Sequence, residues 1–163
     1  MLQILLIGVS GSGKSSVGQA LASHLKGEFL DADDFHPPEN RLKMTSGIPL
    51  TDADRLPWLE ALGTELRIRR SNTRPLVLAC SALKRSYRDI LRQASPGLVT
   101  VYLHGNRELI RKRLRRRRGH FMKAGMLESQ LADLEEPVHA IRVDIGQSLP
   151  AVVREIAAAL PRH

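Results

Sequence analysis

At 163 residues, with 42% hydrophobic and 26% charged side chains, the chain is sized for one soluble domain with a buried core. No apolar stretch nears the roughly 20 residues that cross a bilayer, and the single cysteine, Cys80, excludes an internal disulfide, so a reducing cytoplasmic setting is expected. The net charge of +8 is local: residues 107–118 alone carry +7 of it, which suits a phosphate site and not the broad basic face of a duplex binder.

Read in chain order, five apolar runs predict buried parallel strands at 2–8, 28–31, 76–80, 98–103 and 140–145. The first leads straight into a glycine loop and reads as a buried strand, not a signal peptide. Helical patterns follow at 14–26, 57–70, 83–93, 107–118, 127–134 and 150–160, with Gly27 as a C-cap, Pro57 in a first turn and Ser148 as an N-cap. This alternation predicts an α/β fold, doubly wound around a parallel sheet, as a single domain over 1–163. The segment 33–56 is polar, rich in proline and longer than a connection requires. It is expected to carry function as an acceptor-binding insertion.

Residues 8–15, Gly-Val-Ser-Gly-Ser-Gly-Lys-Ser, satisfy G-x-x-x-x-G-K-[ST] between a strand and a helix. Gly8, Gly11 and Gly13 let the backbone wrap so that N–H groups, with Ser10, Ser12 and Ser16 nearby, face phosphate oxygens at a helix N-terminus. Lys14 should reach the β- and γ-phosphates, and Ser15 should ligate Mg²⁺. The loop therefore predicts a nucleoside triphosphate, most simply ATP.

The second strand ends in Asp31-Ala32-Asp33, and alternation sends both acids to one side at the ligand-binding end of the sheet. Such carboxylates orient or deprotonate an acceptor hydroxyl, or hold Mg²⁺. The third strand ends in Cys80-Ser81 without the acid many phosphate-loop proteins carry there. That absence moves weight onto Asp31 and Asp33 and argues against motor or switch-type NTPases. Cys80 itself reads as a buried strand residue. Lys84 and Arg88, four apart, would share a helix face; a clamp for an anionic acceptor group and a solvated basic face are equally consistent. The arginine run predicts a lid over about 107–126, with Arg113 and Arg117 turned to the triphosphate and the rest solvated. His120 either meets the acceptor or caps the helix end.

These residues resemble the gluconate kinase (gluconokinase) family. The phosphate loop is followed by Phe29-Leu30-Asp31-Ala32-Asp33, His36-Pro37 and Asn40, then Lys43-Met44, Ser46-Gly47 and Pro49-Leu50. Asp52, Asp54-Arg55, Pro57-Trp58-Leu59, Cys80-Ser81-Ala82-Leu83-Lys84, Tyr87-Arg88-Asp89 and Gly119-His120-Phe121 complete the match, over about 4–153. The resemblance implies ATP-dependent phosphorylation of D-gluconate at its 6-hydroxyl. It further implies a shikimate-kinase-like phosphate-loop fold with sheet order 2-3-1-4-5, and a homodimer. Asp34 adds an acid, the arginine run is denser than the family's, and the stretch between Glu136 and Arg142 is short.

The site expected on both grounds has Lys14, Asp33 and Arg117 as catalytic groups, and Ser15 and Asp31 at the metal, the roles of the two aspartates being exchangeable. Asp33, His36, Asn40, Lys43, Ser81, Lys84, Arg88 and His120 would hold gluconate, and adenine would lie near 144–148. Competing readings are a kinase for another small acid or nucleotide, such as shikimate or adenylylsulfate, and a nucleic-acid-binding NTPase using the arginine run. The confined charge and 4% aromatic content weigh against the last, so neither nucleic-acid nor membrane partners are expected.

Overall fold

The computed structural model describes residues 1–116 and 126–162. Five strands, β1 (Gln3–Ile7), β2 (Glu28–Asp31), β3 (Leu76–Ala79), β4 (Val99–His104) and β5 (Ile141–Asp144), form one sheet in the order β2-β3-β1-β4-β5. Every pairing is parallel, with Leu5 of central β1 opposite both Leu78 and Thr100. The expected order and all five strands are present, each within a residue or two of its predicted ends.

Alternation along β1 builds two cores. Ile4 and Leu6 face one side, where they pack with helices α1 (Lys14–His24) and α7 (Leu149–Ala159). Leu5 and Ile7 face the other, against α3 (Asp52–Ile68) and α4 (Arg85–Ala94). All five β1 residues are buried, as a strand covered on both faces requires. Helices α2 (Pro38–Thr45), α5 (Arg107–Arg116) and α6 (Met126–Asp133) stand around the carboxyl end of the sheet. Ser148 caps α7 as expected, accepting from the Ala151 N–H.

Two local expectations are corrected. α1 does end near Gly27, but the left-handed residue is Lys26, at φ 54°. The Gly27 N–H then returns to the Ala22 carbonyl at 2.8 Å and Lys26 N–H to Ser23 at 3.1 Å, a Schellman closure. Glycine is required at 27 by space, since a Cβ there would stand 2.4 Å from the Pro75 carbonyl oxygen.

Second, α3 begins at Asp52, five residues before Pro57, so Pro57 is an interior residue. Thr51 and Asp54 form a reciprocal capping box, Thr51 Oγ1 accepting from Asp54 N–H at 3.1 Å and Asp54 Oδ2 accepting from Thr51 N–H at 2.9 Å. That cap offsets the bond lost at the proline. Segment 33–56 is largely helical. It holds a 3₁₀ turn (Ala32–Phe35), α2 and the first turn of α3.

Trp58 fixes that insertion to the core. It is 2% exposed, and its indole Nε1 donates to the Ala32 carbonyl at 2.7 Å, across 26 positions of sequence. Trp58→Phe strips a fully buried carbonyl of its donor, so the unfolding free energy should fall by about 1–3 kcal/mol in a urea titration. An unchanged midpoint would remove this bond from the account.

Candidate active site

The loop at 8–15 wraps as its glycines demand. Gly11 and Gly13 hold φ 85° and 89°, in the left-handed region. A Cβ on Gly11 would reach 2.9 Å from Leu114 Cγ, and one on Gly8 would reach 2.9 Å from the Leu103 carbonyl oxygen, so the loop lies hard against α5 and β4. Gly8 thus acts by close approach to β4. Lys14 Nζ donates to the Val9 carbonyl at 3.0 Å, which arches the side chain back over the loop. Ser12 is wholly buried, and its Oγ has no hydrogen-bond partner among the described residues.

These features fit a polyphosphate. The concavity lies at the N-terminus of α1, an ammonium hangs over it, and an orphaned buried hydroxyl sits inside it. Beside it a cleft of about 400 Å³ is lined by Gly11, Ser12, Gly13 and Ser16 on one side. Ile145, Gln147, Leu149 and Val152 close the other, and Arg113 and Arg116 form the rim. The Arg113 guanidinium donates to the Ile145 carbonyl at 3.0 Å and stands 3.6 Å from where a Gly13 Cβ would be. The stretch near 144–148, where the base is expected, lines an apolar slot between α1 and the start of α7. Arg116, one turn beyond Arg113, joins the rim and was not anticipated. Arg107 and Arg111 instead pair with Glu128, as solvated members of the run. Arg117 and His120 lie outside the described residues, as do 117–125 of the expected lid.

Asp31 closes β2 and links the two halves of the site. Its Oδ2 accepts from the Ser15 hydroxyl at 2.9 Å, and its Oδ1 accepts from the Asp33 N–H at 3.0 Å. Strand alternation predicted that both acids face one side. They do share a cleft, but because Asp31 caps a 3₁₀ turn that carries Asp33 round, not because the strand continues. A hydroxyl and a carboxylate in contact suit a hard cation completed by phosphate oxygens and water. No group of three His, Cys, Asp or Glu among the described residues could hold a metal without them.

The cleft at the phosphate loop contains Lys14, Ser15, Asp31, Asp33, Ser81 and Gln130. A second hollow contains His36, Arg55, Trp58 and Asp133, and again Asp33, Ser81 and Gln130. The last three residues are the boundary shared by the two cavities. Gln130, from α6, accepts from the Ser10 N–H at 2.6 Å through its Oε1. Sequence reasoning missed it, because a lone glutamine in an amphipathic helix carries no signal until tertiary packing joins residues 120 apart.

The expected acceptor cations are distributed differently. Lys43 Nζ is 2.9 Å from both carboxylate oxygens of Asp54, and with Thr51 it holds the Asp54 carboxyl down at about 2. Lys84 is the residue before α4 and does not share a helix face with Arg88; its ammonium pairs with Asp52 at 2.9 Å. Arg88 is 2% exposed and donates to the carbonyls of Ala82, Leu83 and Glu135 at 2.8, 2.9 and 2.7 Å. It clamps the turn in which Ala82 holds φ 36°, and that turn presents Ser81. Neither alternative read from its sequence, clamp for substrate or solvated face, describes it.

The arginine in the second hollow is Arg55, whose Nη1 donates to the Leu50 carbonyl at 2.8 Å and the Tyr87 hydroxyl at 3.1 Å. Asn40 is buried at 3% and turned to His36 and to the Asp54 carbonyl. Cys80 is buried, and burial pushes its thiol up to about 12, which leaves it inert.

His36 stacks on Trp58 with ring centroids 4.1 Å apart and planes 14° off parallel. Burial, helped by the charges of Arg41 and Arg55, pulls it down to about 4 from its ordinary 6.5.

The sequence comparisons now decide the family. The model of a family described as an AAA domain matches residues 4–137. The thermoresistant gluconokinase of Escherichia coli K12 is 45% identical over 153 residues, covering 91% of this chain and 87% of its own. This chain belongs to the gluconokinase family. The crystal structure of a gluconokinase from Sinorhizobium meliloti 1021 superposes with a TM-score of 0.86 at 49% identity, covering 96% of this chain and 90% of its own. A shikimate kinase from Aquifex aeolicus, 20% identical with a TM-score of 0.62, shares the phosphate-loop kinase fold alone.

Because the pKa of His36 is lowered on folding, the unfolded chain binds the extra proton between pH 6.5 and 4. Stability is fully present above that window and lost as pH falls through it. Unfolding free energy should drop by about 2 kcal/mol more in the parent protein than in His36→Gln between pH 7 and 4.5. Equal acid sensitivity in urea titrations of the two would show that His36 is not the buried neutral group.

Proposed function

We propose that this chain transfers the terminal phosphoryl group of ATP to the 6-hydroxyl of D-gluconate, giving 6-phospho-D-gluconate and ADP. The observation that carries the reading is the pair of adjoining cavities with Asp33, Ser81 and Gln130 on their shared wall. One cavity has the phosphate loop; the other has a cation, a buried histidine and carboxylates, the mixture a polyol acid requires. Shared ancestry with gluconokinases over more than nine-tenths of the chain supports the same assignment.

In this account the amides of 10–15 and the Lys14 ammonium hold the β- and γ-phosphates. The slot between α1 and α7 takes the base. Ser15, backed by Asp31, is the protein's contribution to a magnesium shell, and the ion when bound neutralises phosphate charge. Asp33 accepts a hydrogen bond from the 6-hydroxyl, orients its oxygen in line with the γ-phosphorus, and takes the proton as the new P–O bond forms and the bond to ADP breaks. Arg113 and Arg116, on the rim of the nucleotide cleft, neutralise charge on the transferring group, and Arg117 is proposed as a further catalytic cation. Arg55 pairs with the gluconate carboxylate, and Ser81 and His36 bind hydroxyls. Lys43, Lys84 and Arg88 hold the pocket's frame, so their contribution to binding is indirect.

A cytoplasmic homodimer completes the proposal. The resemblance to the family supports the dimer, and the lone buried Cys80 is compatible with a reducing compartment. No helix among the described residues is long and apolar enough to cross a membrane.

The deciding experiment is ATP consumption against gluconate, other sugar acids, shikimate and nucleotides. Gluconate should be turned over and the rest should not; activity only with shikimate or a nucleotide overturns the assignment. Lys14→Ala and Asp33→Asn should each lower kcat by at least about a hundredfold, and normal turnover in Asp33→Asn would end its role as base. Arg55→Met should raise the KM for gluconate at least about tenfold by removing a charge-assisted pair, with the KM for ATP unmoved. Equal rises in both KM values would remove Arg55 from the acceptor site.

A further inference from the structure

We propose that Asn40 is a positioning residue that fixes His36 as a neutral imidazole with its proton on Nε2, making His36 a permanent hydrogen-bond donor to the acceptor. The inference rests on the acceptor pocket assigned above and adds a specificity device to it.

The argument starts at Asn40 Nδ2. That atom lies 2.9 Å from the backbone carbonyl oxygen of Asp54. A carbonyl oxygen only accepts, so the group facing it must be the amide NH₂ and not the amide oxygen. The amide orientation of Asn40 is thereby settled by a partner that cannot change role. The same Nδ2 lies 3.2 Å from His36 Nδ1. With one N–H directed at Asp54, the second points at the ring nitrogen, and Nδ1 must accept it. An accepting Nδ1 carries no proton, and the proton of neutral imidazole then sits on Nε2.

Nothing in the surroundings relaxes this arrangement. Asn40 is 3% exposed and His36 7% exposed, so water does not readily replace the amide. The ring is held flat on Trp58, whose own N–H is fixed to Ala32, so the imidazole cannot turn over, which would put Cδ2 in the place of Nδ1, without breaking the stack. The charged groups around it come from every neighbouring element. Asp33 lies on its own turn, Arg41 and Lys43 on α2, Asp54 and Arg55 on α3, and Asp133 on α6. Lys43 neutralises Asp54, and Arg41 and Arg55 oppose an imidazolium. His36 lines the acceptor hollow with Asp33 and Arg55.

The functional consequence is selective. A neutral Nε2–H donor rewards an acceptor oxygen, whether hydroxyl or carboxylate, and leaves charge recognition to Arg55. It cannot compete with Asp33 for the transferred proton, because an imidazole already carrying its proton and holding its other nitrogen in a bond is no base. Proton transfer is then left to the carboxylates of the pocket.

Long-range ¹H–¹⁵N correlation on protein labelled in histidine reads the tautomer directly, His36→Gln identifying the signal. The expected result is a His36 ring with protonated Nε2 and bare Nδ1, unchanged from pH 8 to pH 5. In Asn40→Asp the new carboxylate accepts from Nδ1, so the proton should move there or the ring should become cationic. A wild-type ring protonated on Nδ1, or one titrating near pH 6.5, overturns the proposal.

Kinetics supply the second arm. His36→Gln, whose amide reaches the Nε2 position, should keep the KM for gluconate within about threefold. His36→Leu should raise it about tenfold, with the KM for ATP unmoved in both. A glutamine variant no better than leucine also overturns it. The spectroscopic arm needs no substrate; should the acceptor prove not to be gluconate, it still decides the tautomer, and the kinetic arm is run with the acceptor the panel identifies.

Discussion

One carboxylate joins the two halves of this enzyme. Asp31 accepts the Ser15 hydroxyl through one oxygen and the Asp33 amide through the other. The first bond aligns the start of α1, where the proposed phosphate and cation site lies. The second starts the 3₁₀ turn that carries Asp33 and leads to His36. Because β3 ends in a small, uncharged run, no second acid shares the duty, and the spacing between the proposed cation site and the proposed base Asp33 is set by a single residue. The sheet holds that residue in place, with Asp31 in register beside Ala79 of β3.

Around this link several cations are already satisfied by protein groups. Lys43 and Lys84 are paired with Asp54 and Asp52, and Arg88 is saturated by three carbonyls. Arg107 and Arg111 meet Glu128. Among the described residues, the lysines and arginines that line the two clefts and the adjoining hollow are few: Lys14, Arg55, Arg113 and Arg116. Selectivity for a small anionic polyol then depends on a few fixed donors in a shaped hollow, not on a diffuse positive field.

The sequence was most informative where backbone geometry dictates residue type. Gly11, Gly13, Lys14 and Ser15 announced the phosphate loop because few other residues tolerate those conformations and contacts. Buried parallel strands were readable because both faces must be apolar, and their order followed from the family resemblance. The acceptor side was legible as composition but not as wiring. Arg88 and Arg55 look alike in sequence, yet one holds a turn with a left-handed alanine and the other faces the acceptor hollow. Only the packing of α3 against α4 separates them. The start of α3 was missed since Pro57 suggested a first turn, while the Thr51–Asp54 box that overrides it uses aspartate where glutamate is the commoner signal. Gln130 had no local signature at all.

If Asp31 couples the halves, one substitution must weaken both. The most direct measurement is the apparent affinity for magnesium–ATP and the KM for gluconate of Asp31→Ala in the same steady-state series. The account predicts that both weaken, by at least about tenfold each, as lost charge-assisted bonds. A variant that loses magnesium–ATP affinity while binding gluconate normally would contradict it, since Asp33 would then stand without the support of Asp31.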